Sequence, residues 1–201
     1  MGDYADRRRT AIEDAAFALL IEKGYKATSM LEVARRAGAS NETLYKWYGN
    51  KQGLFAALVK ANARDVAELL RTRLDGADAD PLETLATVGP LLLDLVTGER
   101  AIALNRAAVG DVHDTATLGP ALAESGREAV VPLIAELLGR ARDRGLLAFD
   151  DAGEVAETYV ALLIGDLQIR RATGAIGPLP DDAIRTRAMR AVGGITRLFR
   201  T

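Results

Sequence analysis

The chain has 201 residues, of which 49% are hydrophobic and 27% charged, and its formal net charge at pH 7 is −2. This length allows one large domain or two small ones around an apolar core. No apolar run approaches the roughly 18 residues of a membrane-spanning helix, so we expect a soluble protein. The chain has no cysteine, which excludes disulfides, thiol chemistry and cysteine-based metal sites.

Charge and aromatic residues are unevenly distributed along the chain. Residues 1–64 carry 11 Lys or Arg against 7 Asp or Glu, whereas residues 65–201 carry 15 against 21. Seven of the ten aromatic residues also lie in residues 1–64. A basic, aromatic first part followed by an acidic, aliphatic second part is typical of a DNA-contacting module joined to a domain with another task. A solvated charge asymmetry without function would produce the same pattern.

The most informative segment lies between Thr28 and Lys51. Its first half places apolar residues at the spacing of one helical face, namely Met30, Val33, Ala34 and Ala37. Gly38 can end that helix because glycine adopts a positive φ without steric cost. Ser40 can cap a second helix from about Asn41 to Tyr48, which would bury Leu44.

The outer face of this second helix would carry groups that can read DNA, namely Asn41, Glu42, Thr43, Lys46 and part of Tyr45. Asn can pair with adenine, Lys can donate to guanine, and a Thr methyl can contact thymine. Asn50 can cap a third helix, whose first residue Lys51 would lie where a phosphate meets a cation and a helix N-terminus. Helix, turn and short helix also occur in all-α proteins that bind no DNA, so spacing alone leaves both interpretations open.

Residues from about Arg7 to Arg64 resemble the DNA-binding domain of the TetR (tetracycline-repressor-like) family of transcription factors. Several motif pieces match in order and spacing, namely Gly24-Tyr25, Thr28-Ser29, Ala34, Ala37-Gly38, Thr43-Leu44-Tyr45, Lys51 and Leu54-Phe55. Two positions depart from the family pattern. Tyr48 closes the recognition helix where Phe is usual, and Gly49-Asn50 replaces a commoner Pro-Ser-type pair.

The resemblance implies a DNA-binding domain over residues 5–65, with its helix-turn-helix at about residues 29–48. It implies base and backbone contacts from Asn41 to Lys46, phosphate contacts from Tyr45 and Lys51, and Trp47 at the edge of the duplex. The DNA contacts expected from it are therefore Thr28, Ser29, Asn41, Glu42, Thr43, Tyr45, Lys46, Trp47 and Lys51.

Beyond the helix-turn-helix, helix follows helix. A long helix is predicted from Asn50 to a loop over residues 75–81, followed by helices at about residues 82–97, 99–112, 117–125, 126–145, 152–174 and 181–200. Pro132 should kink its helix or mark the true start. The predicted fold is all-α, with a C-terminal helical bundle for ligand binding and dimerisation over residues 66–201.

Two of the late predicted helices, at about residues 126–145 and 152–174, are apolar on more than one face. Such a helix is buried either in the centre of the fold or against another subunit. The resemblance implies the second, because the family pairs two late helices from each chain in a four-helix interface. The predicted interface residues are Val131, Ile134, Leu138, Val160, Leu163 and Leu167.

The helices between Leu82 and Gly145 combine many apolar side chains with few polar ones, which suits an apolar effector pocket. An ordinary packed core would give the same pattern. The predicted pocket residues are Val88, Leu92, Leu95, Val96, Leu104, Asn105, Arg106, His113 and Leu118.

Catalytic chemistry has little support in the sequence. His113 is the only histidine, and the carboxylates of Asp94, Asp111 and Asp114 match no metal-ligand spacing. We therefore expect no catalytic residue, no metal and no cofactor. The N-terminus shows no export signal, so the expected location is the cytoplasm.

The sequence thus predicts a homodimeric, sequence-specific regulator that binds palindromic double-stranded DNA, and neither an enzyme nor a membrane protein. By the resemblance, it would be a repressor released by a small apolar effector. Two alternatives remain open at this point. One is a regulator that activates, or that responds to a protein partner instead of a ligand; the other is an all-α enzyme with a pocket in the bundle.

Overall fold

The computed structural model describes residues 2–75 and 80–200, and every regular element in these ranges is helical, which confirms the all-α prediction. Of the loop predicted over residues 75–81, residues 76–79 lie outside the described residues, Asp75 ends α4 and Pro81 begins α5. The helices are α1 (Gly2–Ala27), α2 (Met30–Arg36), α3 (Asn41–Tyr48), α4 (Lys51–Asp75), α5 (Pro81–Thr97), α6 (Glu99–Asp111), α7 (Leu118–Leu122), a π-helical turn (Ala123–Arg127), α8 (Glu128–Asp143), α9 (Ala152–Ile164), α10 (Leu167–Ala172) and α11 (Asp181–Leu198).

The helices form two compact units. The first, called the head, comprises the residues up to Asn62 together with Glu99–Gly126; the second, called the body, comprises Ala63–Gly98 and Arg127–Thr201. The predicted domains, at 5–65 and 66–201, place α6 and α7 in the second domain, whereas by their contacts these two helices pack with the head. Their placement follows from the apolar face of α6, since Leu104 and Ala108 are buried in one cluster with Ile12, Phe17 and Leu54.

Helix α6 is attached to α1 by polar contacts as well as by its apolar face. Near its start, Arg100 Nη2 donates to Asp14 Oδ1 at 2.6 Å, and the guanidinium lies 4.6 Å from the centre of the Phe17 ring. Just past its end, Lys26 Nζ lies 2.9 Å from Asp114 Oδ2. Between them, Ala103 and Ala107 are small enough to let the two helices approach closely. Helix α6 is thus an integral part of the head.

The link from α6 to α7 is organised by the buried carboxylate of Asp111, which is 2% exposed. Its oxygens accept hydrogen bonds from the Thr115 hydroxyl at 2.8 and 2.9 Å, and from the backbone N–H groups of Thr117 at 3.0 Å and Leu118 at 3.2 Å. Burial raises the pKa of Asp111, but these hydrogen bonds outweigh that effect and leave the pKa below its ordinary value.

The core of the body is formed by the second half of α4 with α5, α8, α9 and α11. Tyr159 of α9 is buried there, and its hydroxyl donates to the Leu85 carbonyl at 3.3 Å. Gly89 makes this packing possible, since a Cβ at that position would lie 2.7 Å from the Tyr159 hydroxyl. The C-terminal end of α5 is capped from α10, where Gln168 donates to the Val96 carbonyl and Arg171 to that of Thr97.

Two predicted helix boundaries in the second half of the chain were wrong. The helix expected at residues 152–174 is divided into α9 and α10 by Gly165, which adopts a φ of +54°. The helices expected at 117–125 and 126–145 run into each other through the π-helical turn. Pro132 lies one turn into α8 and cannot donate to the Glu128 carbonyl. The π-helical turn, which is wider than an α-helical turn, ends at Arg127, directly before the Glu128 carbonyl that lacks its helical hydrogen bond.

Replacement of Asp111 by Asn tests the role of the buried carboxylate. Because the folded pKa is depressed, the stabilisation is present above the ordinary carboxyl pKa of about 3.9 and is lost as the pH falls through the folded value. We expect D111N to lower Tm at pH 7 and to lose less Tm than the wild type on acidification to about pH 3. The control is D94N, an exposed carboxylate on α5. Equal Tm values for D111N and D94N at pH 7 would contradict this role.

Candidate nucleic-acid interface

The helix-turn-helix begins with a capping box at the start of α2. The hydroxyl of Ser29 accepts the N–H of Glu32 at 3.3 Å, and the Glu32 carboxylate accepts the N–H of Ser29 at the same distance. Thr28 was predicted to contact DNA. In the structure its side chain is buried, and its hydroxyl donates to the Gly24 carbonyl at 2.9 Å. Gly24 itself has a φ of +78°, so this bond supports the Gly24-Tyr25 corner from inside the head.

The turn between α2 and α3 has the conformation that the sequence predicted. Gly38 has a φ of +62°, and Ala39 N–H returns to the Ala34 carbonyl at 2.8 Å. Ser40 caps α3, its hydroxyl accepting the N–H of Thr43 at 3.0 Å. Helix α3 therefore starts at Asn41 and ends at Tyr48, as expected.

Helix α3 has one fully buried side chain and a polar opposite face. Leu44 is 0% exposed and lies in the head core. The exposed residues are Asn41, Glu42, Tyr45 and Lys46. Thr43 is half-buried, and its hydroxyl lies 2.8 Å from that of Ser40. The structure thus brings four of the predicted base- or phosphate-contacting side chains together on one outer surface.

Lys51 is less accessible than predicted for a phosphate contact. It is half-buried, its Nζ donates to the Lys26 carbonyl at 3.4 Å, and the ammonium lies 4.0 Å from the centre of the Tyr25 ring. Burial lowers the pKa of Lys51, while the Asp111 carboxylate raises it by a smaller amount. A phosphate would have to share this ammonium with the Gly24-Tyr25 corner.

Two arginines of α1 belong to the site, and the sequence analysis missed them. Arg8 Nη2 donates to the Gly38 carbonyl at 2.7 Å, and the Arg9 guanidinium lies 6.0 Å from the centre of the Trp47 ring. Trp47 is half-buried at the last turn of α3. The run Arg7-Arg8-Arg9 at the start of a basic segment was the available signal.

The residues predicted to line one effector pocket divide between the two cores. Val88, Leu92, Leu95 and Val96 are part of the body core or pack against it, whereas Leu104 and Leu118 are buried in the head core. The three polar residues of this set have different surroundings. Asn105 donates to the Ala101 carbonyl at 2.8 Å, His113 is exposed, and Arg106 borders a groove of about 390 Å³ between α1 and α6. The predicted pocket residues therefore belong to two different buried clusters, and the single apolar effector pocket stays a prediction.

The predicted interface residues lie in or against the core of a single chain. Ile134, Leu138 and Leu163 are at most 1% exposed in the core of a single chain, and Val160 is 7% exposed. Val131 and Leu167 are half-buried against the same core. The core of one chain thus accounts for the burial of the first four residues. The large apolar side chains that α9 and α11 expose are instead Leu162, Met189 and Leu198.

Over residues 2–75 and 80–200, no helix is both long and apolar enough to cross a membrane. Among the side chains described there, no group of three or more His, Asp or Glu could hold a metal ion.

Comparison with known families gives two matches that together cover most of the chain. Residues 12–58 match the model of "Bacterial regulatory proteins, tetR family". Residues 83–200 match that of "AefR-like transcriptional repressor, C-terminal domain".

Solved structures of similar fold include three regulators. A TetR transcriptional regulator from Agrobacterium tumefaciens is 33% identical, with 96% of this chain and 94% of that chain covered and a TM-score of 0.75. The flavonoid-responsive regulator FrrA is 28% identical, with 96% and 97% covered and a TM-score of 0.67. A TetR-family regulator from Mesorhizobium loti MAFF303099 is 24% identical, with 96% and 97% covered and a TM-score of 0.81.

Proposed function

Because the chain belongs to the TetR family of DNA-binding transcriptional regulators, we propose that it represses transcription as a homodimer that places two copies of α3 in a palindromic operator. Repression is supported by the match of residues 83–200 to a repressor C-terminal domain. In a two-fold dimer the recognition helices face equivalent half-sites, separated by roughly 34–36 Å or a multiple of that distance.

The observation that carries the proposal is the outer face of α3. A helix capped by Ser40 and anchored by Leu44 exposes Asn41, Tyr45 and Lys46 on the opposite side. Amide and ammonium groups are the side-chain donors that distinguish adenine and guanine in the major groove. In this proposal Asn41, Glu42, Thr43 and Lys46 face base edges, while Ser29, Tyr45 and Lys51 face the phosphate backbone and Trp47 lies beside it.

Lys46 and Lys51 should have different effects on DNA binding. The test site is the duplex that the wild-type chain selects from a randomised pool, for which we expect an inverted repeat. K46A should cost about 1–3 kcal/mol on that site and relax the choice at one base pair. K51A should weaken all duplexes similarly and reduce the slope of log K against log salt by about 0.9, because one phosphate contact is lost.

The control for both variants is K60A, which removes the same charge from an exposed position on α4. Affinities are measured by fluorescence anisotropy at several salt concentrations, together with Tm, since Lys51 also packs on Tyr25. If K46A and K51A gave the same specificity profile and the same salt slope, these assignments would be rejected.

A dimer interface is best placed on the exposed faces of α9 and α11. Met189 is 59% exposed and Leu162 is 37% exposed. Gly193 follows Met189 by one helical turn, and a Cβ there would meet no atom of the chain within 4 Å. Gly194 packs against Leu162, since its Cβ would lie 2.9 Å from Leu162 Cδ1. Apolar and small residues together allow the close helix packing that a four-helix interface requires.

A glutamate introduced on the exposed faces of α9 and α11 should dissociate the dimer. We expect M189E and L162E to sediment as monomers and to lose affinity for the inverted repeat, because each half-site then binds alone. V109E is the matched control, as Val109 is a 70% exposed apolar residue on α6. All three variants should retain the helical circular dichroism of the wild type. If M189E were still dimeric and bound the selected site with wild-type affinity, the interface would not lie on this surface.

Release by a small apolar molecule is the last part of the proposal. It is supported by likeness to FrrA, whose name describes it as flavonoid-responsive, and by the apolar character of α5. Leu92 and Leu93 of α5 are buried in the body, and Leu95 and Val96 pack against the same core. A ligand entering between such helices would be held by apolar contacts with few polar ones.

A panel of flavonoids tests this part directly. A compound that binds the folded chain should raise Tm, and the rise should grow with the logarithm of its concentration once that exceeds its Kd. The same compound should weaken binding to the selected duplex, because coupling between two sites is reciprocal. Compounds that raise Tm without affecting DNA binding, or a panel with no effect on either, would count against a flavonoid effector while leaving the DNA-binding proposal intact.

A further inference from the structure

Helix α3 has few attachments of its own to the head. Within its eight residues, Leu44 alone is fully buried, and Trp47 and Tyr48 are half-buried. An isolated helix of this length is unstable in water, so its position depends on contacts with neighbouring elements. The capping hydroxyl of Ser40 lies within the same turn and fixes the start of the helix without fixing its orientation.

The first turns of α1 supply contacts at both ends of α3. Arg8 reaches across 30 positions in sequence to the carbonyl of Gly38, two residues before the N-cap. In the last turn of α3, the Arg9 guanidinium lies 6.0 Å from the centre of the Trp47 ring. Since Gly38 has a positive φ and no side chain, its exposed carbonyl is the group by which this turn can be held.

We propose that Arg8 is a positioning residue for DNA recognition, which holds the α2–α3 turn through the Gly38 carbonyl and so sets the angle at which α3 enters the groove, with Arg9 supporting the other end through Trp47. This inference rests on the proposed function of α3. Arg8 acts through the turn, and its contribution to affinity does not depend on a phosphate contact.

Three duplex-binding measurements separate positioning from phosphate contact. Loss of one hydrogen bond from a charged group should make R8A bind the selected site about tenfold more weakly. A duplex of random sequence should be affected less than twofold, because its binding is set by phosphate contacts. The salt slope should remain that of the wild type. R8K should recover most of the affinity, since a single ammonium donor can still reach one carbonyl.

A measurement without DNA keeps this test independent of the proposed function. Trp47 is the only tryptophan, so quenching of its fluorescence by acrylamide reports how firmly α3 is held. R8A should increase the quenching constant at unchanged Tm, R8K should restore it, and K60A should match the wild type.

Several results would overturn the inference. A salt slope reduced by about 0.9 in R8A and restored in R8K would make Arg8 a phosphate contact. Equal losses on selected and random duplexes with a lower Tm would make it a general stabilising residue. Unchanged quenching and unchanged affinity would show that the bond to Gly38 has no role. If no duplex were selected at all, the proposed function would fail while the quenching result still decided the role of Arg8 in the turn.

Discussion

The short length of the recognition helix is the constraint on which the rest of the head depends. Eight residues make too few internal hydrogen bonds to keep a helix folded on their own. Leu44 therefore needs apolar neighbours, and it lies in one buried cluster with residues of α1, α2, the start of α4 and α6. Burial of one leucine does not fix how α3 is rotated about its own axis. The contacts of Arg8 with Gly38 and of Arg9 with Trp47 lie at the two ends of the helix, where they can fix that rotation. Groove reading tolerates little error in that rotation, because hydrogen bonds to base edges weaken steeply with misalignment.

The inclusion of α6 in the head changes how the two units are connected. The chain passes from head to body within α4, returns at Gly98, and leaves again at the π-helical turn. Gln168 and Arg171 hold the last carbonyls of α5, directly before Gly98. A change in the body that altered this cap would act on the residue from which α6 starts. Arg100, the second residue of α6, contacts Asp14 and Phe17 of α1, so the chain runs from this cap directly into the contacts between α6 and α1.

Local features of the fold were predictable from sequence, and non-local ones were not. The bounds of α3 followed from Gly38, Ser40 and Leu44, because caps, turns and periodicity act within a few residues. The burial of Leu163 and the assignment of α6 to the head depend on which distant helix lies opposite, and hydrophobic periodicity does not contain that information. Thr28 illustrates the same limit within the site. Its place in the motif was recognised, but its hydroxyl turned inward to Gly24.

The charge of the head also depends on the spatial grouping of helices. Residues 1–62 contain 10 Lys or Arg and 7 Asp or Glu, and residues 99–126 add 2 and 4, so the complete head carries a net charge of only +1. Charges separated by more than about 8–10 Å are largely screened at physiological salt. A DNA duplex therefore responds to the charges nearest to α3, and not to the net charge of the unit. Because Asp14, Glu22 and Asp114 pair with Arg100, Arg36 and Lys26, much of the acidic charge of the head is neutralised locally. An almost neutral head can consequently carry cationic side chains on and next to α3, namely Lys46, Arg8 and Arg9.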